Sequence, residues 1–283
     1  MIALSCGFPP SRDLPTYAQR AESLGYSRVW VFDSPALYGD VWVALARIVE
    51  STERIGVSTG VAVPTLRHPV VTASAIATVE ELAPGRLAVA FGTGFTARLA
   101  MGKRAMRWAD LARYVETVRA LLRGDVVDVE GANAQLIYSP AFGPARPIDL
   151  PLYVAVAGPK GFGVAHDIAD GVVLGGIPPD EERDARWSTV AMLVNGTVLD
   201  DGEDETSERV RAAVGPWLLP PPPVPGAGGS VTAIFAHIAS RSSGVGPALE
   251  RSFRIILTSS FSVSLQRLGS FTARSPGSAP IAA

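Results

Sequence analysis

The chain has 283 residues, 47% apolar and 18% charged, which is ample material for a core and speaks against a chain that stays unfolded. Its 25 basic and 27 acidic residues nearly cancel, which excludes a general electrostatic attraction to nucleic acid or to an anionic membrane surface. The single cysteine, Cys6, excludes an intrachain disulfide and a four-thiolate metal site, and it fits a reducing, cytoplasmic setting.

Residues 1–10 carry a short apolar run with no basic segment before it and no cleavage-like end, so they read as a first strand rather than a secretory signal. Leu14, Tyr17, Ala18, Ala21 and Leu24 then recur at helical spacing, and Gly25 is a stop signal. The unit repeats. Residues 29–32 are a second apolar run, followed by the helical stripe Val41, Ala44, Leu45 and Ile48. A third strand over residues 55–63 leads through Pro64 to Pro69, whose fixed φ suits a first helical turn, and a helix follows over residues 70–82 until Gly85. Residues 87–91 make a fourth strand. Beyond it come a glycine-rich loop, Gly92-Thr93-Gly94, and a helix carrying Leu111, Tyr114, Val115, Val118 and Leu122.

Residues 125–148 break the rhythm. Val126, Val127 and Val129 on one side of Gly131-Ala132-Asn133, with Leu136 and Ile137 on the other, predict a hairpin or inserted loop. The alternation resumes with a strand at 152–156, a helix at 161–169, a strand at 172–174 and a strand at 190–198. Continuous apolar strands alternating with helices imply a parallel sheet covered on its outer face. A (β/α)₈ barrel is the economical architecture, and a doubly wound open sheet is the alternative.

From Gly215 onward the composition changes to five arginines, one acid (Glu250), twelve serines and a proline cluster, with no regular eighth unit legible. The chain therefore divides into a barrel over 1–214 and an atypical Pro/Ser/Arg-rich segment over 215–283 whose composition is compatible with partial disorder. The charge-free stretch 212–240 is interrupted by Pro216, Pro220 to Pro223 and Pro225, which a membrane helix would not tolerate together.

Three stretches carry more than periodicity. Trp30-Val31-Phe32-Asp33-Ser34 ends the second strand in an acid. Gly60-Val61-Ala62-Val63-Pro64-Thr65-Leu66-Arg67-His68-Pro69 runs into a helix bearing Thr72, Ala73, Ser74, Ala75 and Ile76 and continues to Leu82-Ala83-Pro84-Gly85-Arg86. Ala157-Gly158-Pro159-Lys160 lies twelve residues before Asp170-Gly171. Together, across residues 2–211, these resemble the luciferase-like monooxygenase family, in the branch of F420-dependent methylene-tetrahydromethanopterin reductases.

The resemblance implies a TIM barrel with its cofactor lying across the C-terminal ends of the strands, where barrel chemistry generally sits. It implies a non-prolyl cis peptide at Gly60–Val61, with Gly60, Val61, Ala62 and Val63 forming a bulge under the cofactor ring. The implied cofactor is coenzyme F420, with FMN as the alternative, and the implied reaction is hydride transfer to or from a small organic substrate. Asp33 becomes the candidate catalytic residue and Thr93 a cofactor contact. Gly158, Pro159 and Lys160, with Gly175 and Gly176, match the family's phosphate site, where glycine N–H groups and a helix N-terminus favour an anion. Two rivals stand beside this reading: an FMN-dependent monooxygenase on the same fold, and a non-catalytic or degenerate cofactor-binding barrel. One departure matters here. Ser34 stands where many F420-dependent relatives have histidine, so a proton role for that histidine is not available.

Other residues read more plainly. Arg67 is expected to be structural, pairing near Glu80 or Glu81, and His68 divides evenly between a site and a helix entrance. Trp30, Trp42 and Trp108 are expected in the core or in helix packing rather than as stacking platforms, and the acidic run 200–208 in a solvated loop. No His/carboxylate set has metal-ligand spacing. The expected partners are a small-molecule substrate and a second copy in a homodimer.

Overall fold

The computed structural model describes residues 3–139, 141–175, 187–195, 204, 206–210 and 253–258. In chain order they form β1 (Ala3–Phe8), α1 (Leu14–Ser23), β2 (Arg28–Val31), α2 (Val41–Ser51) and β3 (Gly56–Thr59). A 3₁₀ turn (Pro64–Leu66), α3 (Pro69–Leu82), β4 (Leu87–Phe91), α4 (Phe95–Leu99) and α5 (Trp108–Arg123) follow. Then come β5 (Val127–Val129), β6 (Ala132–Ala134), β7 (Leu152–Val156), α6 (Pro159–Ile168), β8 (Gly171–Leu174), β9 (Thr189–Asn195) and β10 (Phe253–Thr258).

Eight strands pair in the order β1-β10-β9-β8-β7-β4-β3-β2 and close on themselves. Every pairing around the barrel is parallel, so the open-sheet alternative does not describe this chain. The closing strand was not legible in the sequence. Residues 253–258 nonetheless pair with β9 from Val190↔Phe253 to Asn195↔Thr258 and with β1 from Ala3↔Arg254 to Gly7↔Thr258. The rest of 215–283 lies outside the described residues, as does most of the acidic run 200–208. β5 and β6 form an antiparallel hairpin off the barrel, turning at Glu130 and Gly131, both with positive φ, as a two-residue type I′ turn requires.

The apolar residues separate by strand parity into two cores. Val29, Val31, Val89 and Phe91 face outward and pack with Leu45, Ile48, Ile76, Val115 and Val118 from the helices. An eleven-residue helix such as α2 is marginal alone, whereas burying Val41, Leu45 and Ile48 contributes about 1.5–3 kcal/mol each, so tertiary packing fixes it. Inside the barrel sit Trp30, Ala88, Ala90, Tyr153, Val173 and Ala191. The Trp30 and Tyr153 rings lie 6.2 Å apart, and small neighbours make room for them. A Cβ added at Gly171 would lie 2.4 Å from the Thr189 carbonyl oxygen and 2.9 Å from the Tyr153 ring, so glycine is required there. These two aromatic residues fill the barrel and form a floor beneath its C-terminal mouth.

Candidate active site

The mouth is shaped by an irregularity in β3. Between Ser58, opposite Ala88, and Ala62, opposite Phe91, the chain spends four steps where β4 spends three. One residue is therefore extra, which is a β-bulge. Hydrogen bonds show how it is held: the Thr59 hydroxyl donates to the Ala90 carbonyl (2.8 Å) and accepts from the Ala90 N–H (3.0 Å). The Ala62 N–H donates to the Ala90 carbonyl at 2.7 Å, and the Gly92 N–H to the Ala62 carbonyl at 3.0 Å. The Gly60–Val61 peptide within the bulge is cis, as the family resemblance implies.

Val61 thereby enters a cavity of about 270 Å³ at the C-terminal ends of the strands. Trp30, Phe32, Gly60, Val61 and Thr93 line one side, and Trp108, Ala155, Val156, Ala157, Val173, Leu174, Gly175 and Leu193 the rest. Among these side chains only Thr93 and the two indoles carry a hydrogen-bonding group, so the walls offer shape and apolar contact rather than charge. The buried Trp30 Nε1 has no hydrogen-bond partner among the described residues, a donor left over beneath the cavity.

Of the residues that the sequence brought forward, Gly60, Val61, Thr93 and Gly175 meet at this cavity. Ala62 and Val63 are buried beside the bulge and do not line it. Gly158, Pro159 and Lys160 open α6 directly after Ala157, next to the wall without being part of it. Gly176 lies outside the described residues. Sequence reasoning missed Trp30 and Trp108 as wall residues. For Trp30 a signal existed, because it alternates with outward-facing Val29 and Val31 and so must face the barrel interior. For Trp108 there was none: its indole reaches the wall by packing over α6, where a Cβ at Gly161 would lie 2.8 Å from the ring.

Asp33 stands apart from the cavity. Its side chain is 1% exposed and salt-bridged to Arg67. Arg67 donates Nη1 to Oδ2 (2.8 Å) and Nη2 to Oδ1 (3.1 Å), and the Val63 N–H also donates to Oδ2 (3.2 Å). Arg67 reaches a second acid, Asp40 Oδ2, at 2.7 Å, while Asp40 Oδ1 caps α2 by accepting from the Trp42 and Val43 N–H groups. Burial by itself would lower the Arg67 pKa, but the two carboxylates outweigh it and hold the guanidinium above its ordinary value. Burial would likewise raise Asp40, but the bond and charge of Arg67 together with the Val43 and Trp42 N–H groups outweigh it and leave Asp40 below the usual carboxylate range. The expectation that Arg67 pairs near Glu80 or Glu81 is therefore corrected. Glu80 instead accepts from the Gly85 N–H at 2.6 Å, because the turn after α3 brings that donor within reach of its side chain. His68 is exposed and caps α3, its Nδ1 accepting from the Val70 N–H at 3.3 Å.

A bound flavin-type cofactor can be tested against the glycines. At Gly158 and Gly175 an added Cβ would meet no described atom within 4 Å, and neither has a positive φ that would itself demand glycine. Gly158 is the N-cap of α6 and contributes no side chain to its first turn; Pro159 has no N–H and the Gly161 N–H donates to the Gly158 carbonyl at 2.9 Å, which leaves the Lys160 N–H as the first-turn donor open to an anion. With an apolar wall on one side and this open glycine edge on the other, the residues fit a planar ring carrying a phosphate-bearing tail.

Residues 5–191 match the family model described as luciferase-like monooxygenase. The chain belongs to the luciferase-like monooxygenase family. Among curated relatives it is 29% identical over 183 residues to a 5,10-methylenetetrahydromethanopterin reductase of Methanolobus tindarius, covering 61% of this chain and 52% of that one. It is 34% identical over 186 residues to an F420-dependent glucose-6-phosphate dehydrogenase of Beutenbergia cavernae, covering 57% and 52%. The chain thus spans about half the length of the curated relatives it matches. An F420-dependent secondary alcohol dehydrogenase, solved with an F420-acetone adduct, shares the fold with TM-score 0.65 and 18% identity over 90% of this chain and 93% of that one. In this member of the luciferase-like family, no helix among the described residues is long and apolar enough to cross a membrane. No group of three His, Cys, Asp or Glu side chains among them is disposed to hold a metal ion.

Proposed function

We propose that this chain binds coenzyme F420 across the mouth of the barrel and catalyses hydride transfer between it and a small organic substrate. The observation that carries the reading is the bulge at Gly60–Val61, which thrusts Val61 into an apolar cavity at the C-terminal ends of the strands. The F420-dependent glucose-6-phosphate dehydrogenases among the curated relatives support the choice of cofactor. When bound, the deazaflavin supplies the redox chemistry, accepting or giving the hydride.

The chain's own residues would position and enclose. Val61 and Gly60 would back the ring, and Trp30, Phe32, Trp108, Val173 and Leu193 would exclude water from it. Thr93 and the Trp30 N–H, unpaired among the described residues, would offer the hydrogen bonds. Gly158, Pro159 and Lys160 at the start of α6, with Gly175 at the end of β8, would take the phosphate, since β7 and β8 are adjacent strands; Gly176 belongs to the same expectation but lies outside the described residues. The catalytic part sits in 1–214, with 215–283 as a segment of different character that lends a strand to the barrel. A cytoplasmic location and a homodimer belong to the same proposal. The lone buried thiol Cys6 supports the first, and exposed Val43 on α2 and Val71 on neighbouring α3 support the second, which sedimentation would read.

The test is a titration of the purified chain with F420 and with FMN at equal concentrations, followed by absorbance and fluorescence. Preferential binding of F420 is the expected result. Preference for FMN would transfer the site to flavin monooxygenase chemistry, and binding of F420 without turnover across carbonyl and alcohol substrates would favour a non-catalytic barrel.

A further inference from the structure

The strand-end carboxylate Asp33 is the residue whose sequence position most suggests chemistry, yet its surroundings point elsewhere. A group that exchanges a proton with substrate has to come within hydrogen-bond reach of it. Asp33, at 1% side-chain exposure, faces Arg67 and the Val63 N–H instead. What these bonds secure is a loop. After the bulge, Ala62 is tied to β4, and the next backbone donor, Val63 N–H, goes to Asp33. Pro64 has no N–H to offer. The 3₁₀ turn follows, and the chain leaves it at Arg67, whose guanidinium returns to the same carboxylate. Both ends of the loop over 63–67 thus converge on Asp33.

The arginine is itself fixed from two directions. Asp40, the cap of α2, binds its Nη2, and the Tyr114 hydroxyl from α5 donates to its carbonyl at 2.9 Å. Thr72 of α3 shares a 2.6 Å hydrogen bond with that hydroxyl. Burial pushes the Tyr114 pKa up to about 12, so the hydroxyl stays protonated at neutral pH. The loop behind the bulge is therefore referenced to β2, α2, α3 and α5 at once, while the bulge itself faces the cavity.

We propose that Asp33 and Arg67 are positioning residues that touch neither cofactor nor substrate and hold the Gly60–Val61 bulge at the height the bound ring requires, acting through Val63. This rests on the cofactor reading above. A planar ring buried against Val61 loses affinity when its support is free to shift, because the site must then be ordered at the moment of binding.

The experiment uses the full chain without cofactor, as wild type, as Arg67→Lys, as Asp33→Ala, and as the double variant Asp33→Asn/Arg67→Gln. Lysine keeps the charge and loses the two-pronged grip. The double variant removes both charges, so no uncompensated ion is left buried. Three quantities are read: the melting temperature, amide exchange over residues 60–66 against the rest of the chain, and F420 affinity by fluorescence titration. Cooperative melting should persist, exchange should accelerate in 60–66 alone, and F420 should bind at least about tenfold more weakly. Unchanged affinity in folded variants would overturn the proposal, as would exchange that rises everywhere in step with a lower melting temperature. Loss of affinity in Asp33→Ala with none in Arg67→Lys would overturn it in favour of direct contact. Should wild type bind neither F420 nor FMN, the cofactor reading fails first and takes the positioning role with it.

Discussion

On the β3–β4 side of the mouth an added Cβ at Gly92 would stand 2.5 Å from Val61 Cγ2, and one at Gly94 would stand 2.5 Å from Val63 Cγ1. On the β7–β8 side the same addition at Gly158 or Gly175 would meet no described atom within 4 Å. The first pair of glycines is used up by the protein: the bulge packs into the space their missing side chains leave. The second pair leaves its space unfilled by any described atom, which is what an edge open to a ligand looks like. The same residue thus marks a self-packed support on one side and a binding edge on the other. Only the neighbours distinguish them.

Substitutions can break that contrast. The largest effect is expected at Arg67→Ala, which strips the guanidinium from a carboxylate that is 1% exposed. An uncompensated buried charge costs about 3–5 kcal/mol, so chemical denaturation should register a large loss of stability, and a loss below about 1 kcal/mol would show that Asp33 finds water easily. Gly92→Ala should come next. Val61 is β-branched and has little rotamer freedom with which to retreat, so overpacking of about 1–3 kcal/mol is expected, together with weaker F420 binding.

Across the mouth the expectation reverses. Gly175→Val should change stability by no more than about 0.5 kcal/mol, since no described neighbour opposes the side chain. Its F420 affinity should nonetheless fall about tenfold or more through blocked approach to the backbone, and equal affinity would move the phosphate elsewhere. The smallest effect is expected at Lys160→Ala. This exposed side chain should leave the melt unchanged and weaken F420 binding only a few-fold, with the difference fading at high salt.

Much of the scaffold was legible because its signals are local. The apolar runs at β4 and β7 and the stripes of α2 and α5 follow from side-chain periodicity, and Pro69 and Gly25 fall at helix ends where their backbone preferences suit them. The hairpin of β5 and β6 was visible in its glycine turn. β10 was not, because a single strand among serines and prolines has no periodic helix beside it in the described residues and is defined by its neighbours β1 and β9. Within the site, Gly60 and Val61, singled out by the resemblance, and Thr93, singled out by its glycine loop after β4, all line the mouth. It could not reveal that Asp33 is occupied, since its partner Arg67 lies 34 positions along the chain.

The sequence by itself determined the alternation of strands and helices, the family, and the motif around Gly60–Val61, because hydrophobic period and turn chemistry act over a few residues. Tertiary structure alone decided barrel closure, the Trp108 indole in the mouth, the pairing of Asp33 with Arg67 and the opposite use of glycine on the two walls. Each of these depends on which atoms become neighbours across tens of residues, and that is fixed by packing rather than by local preference.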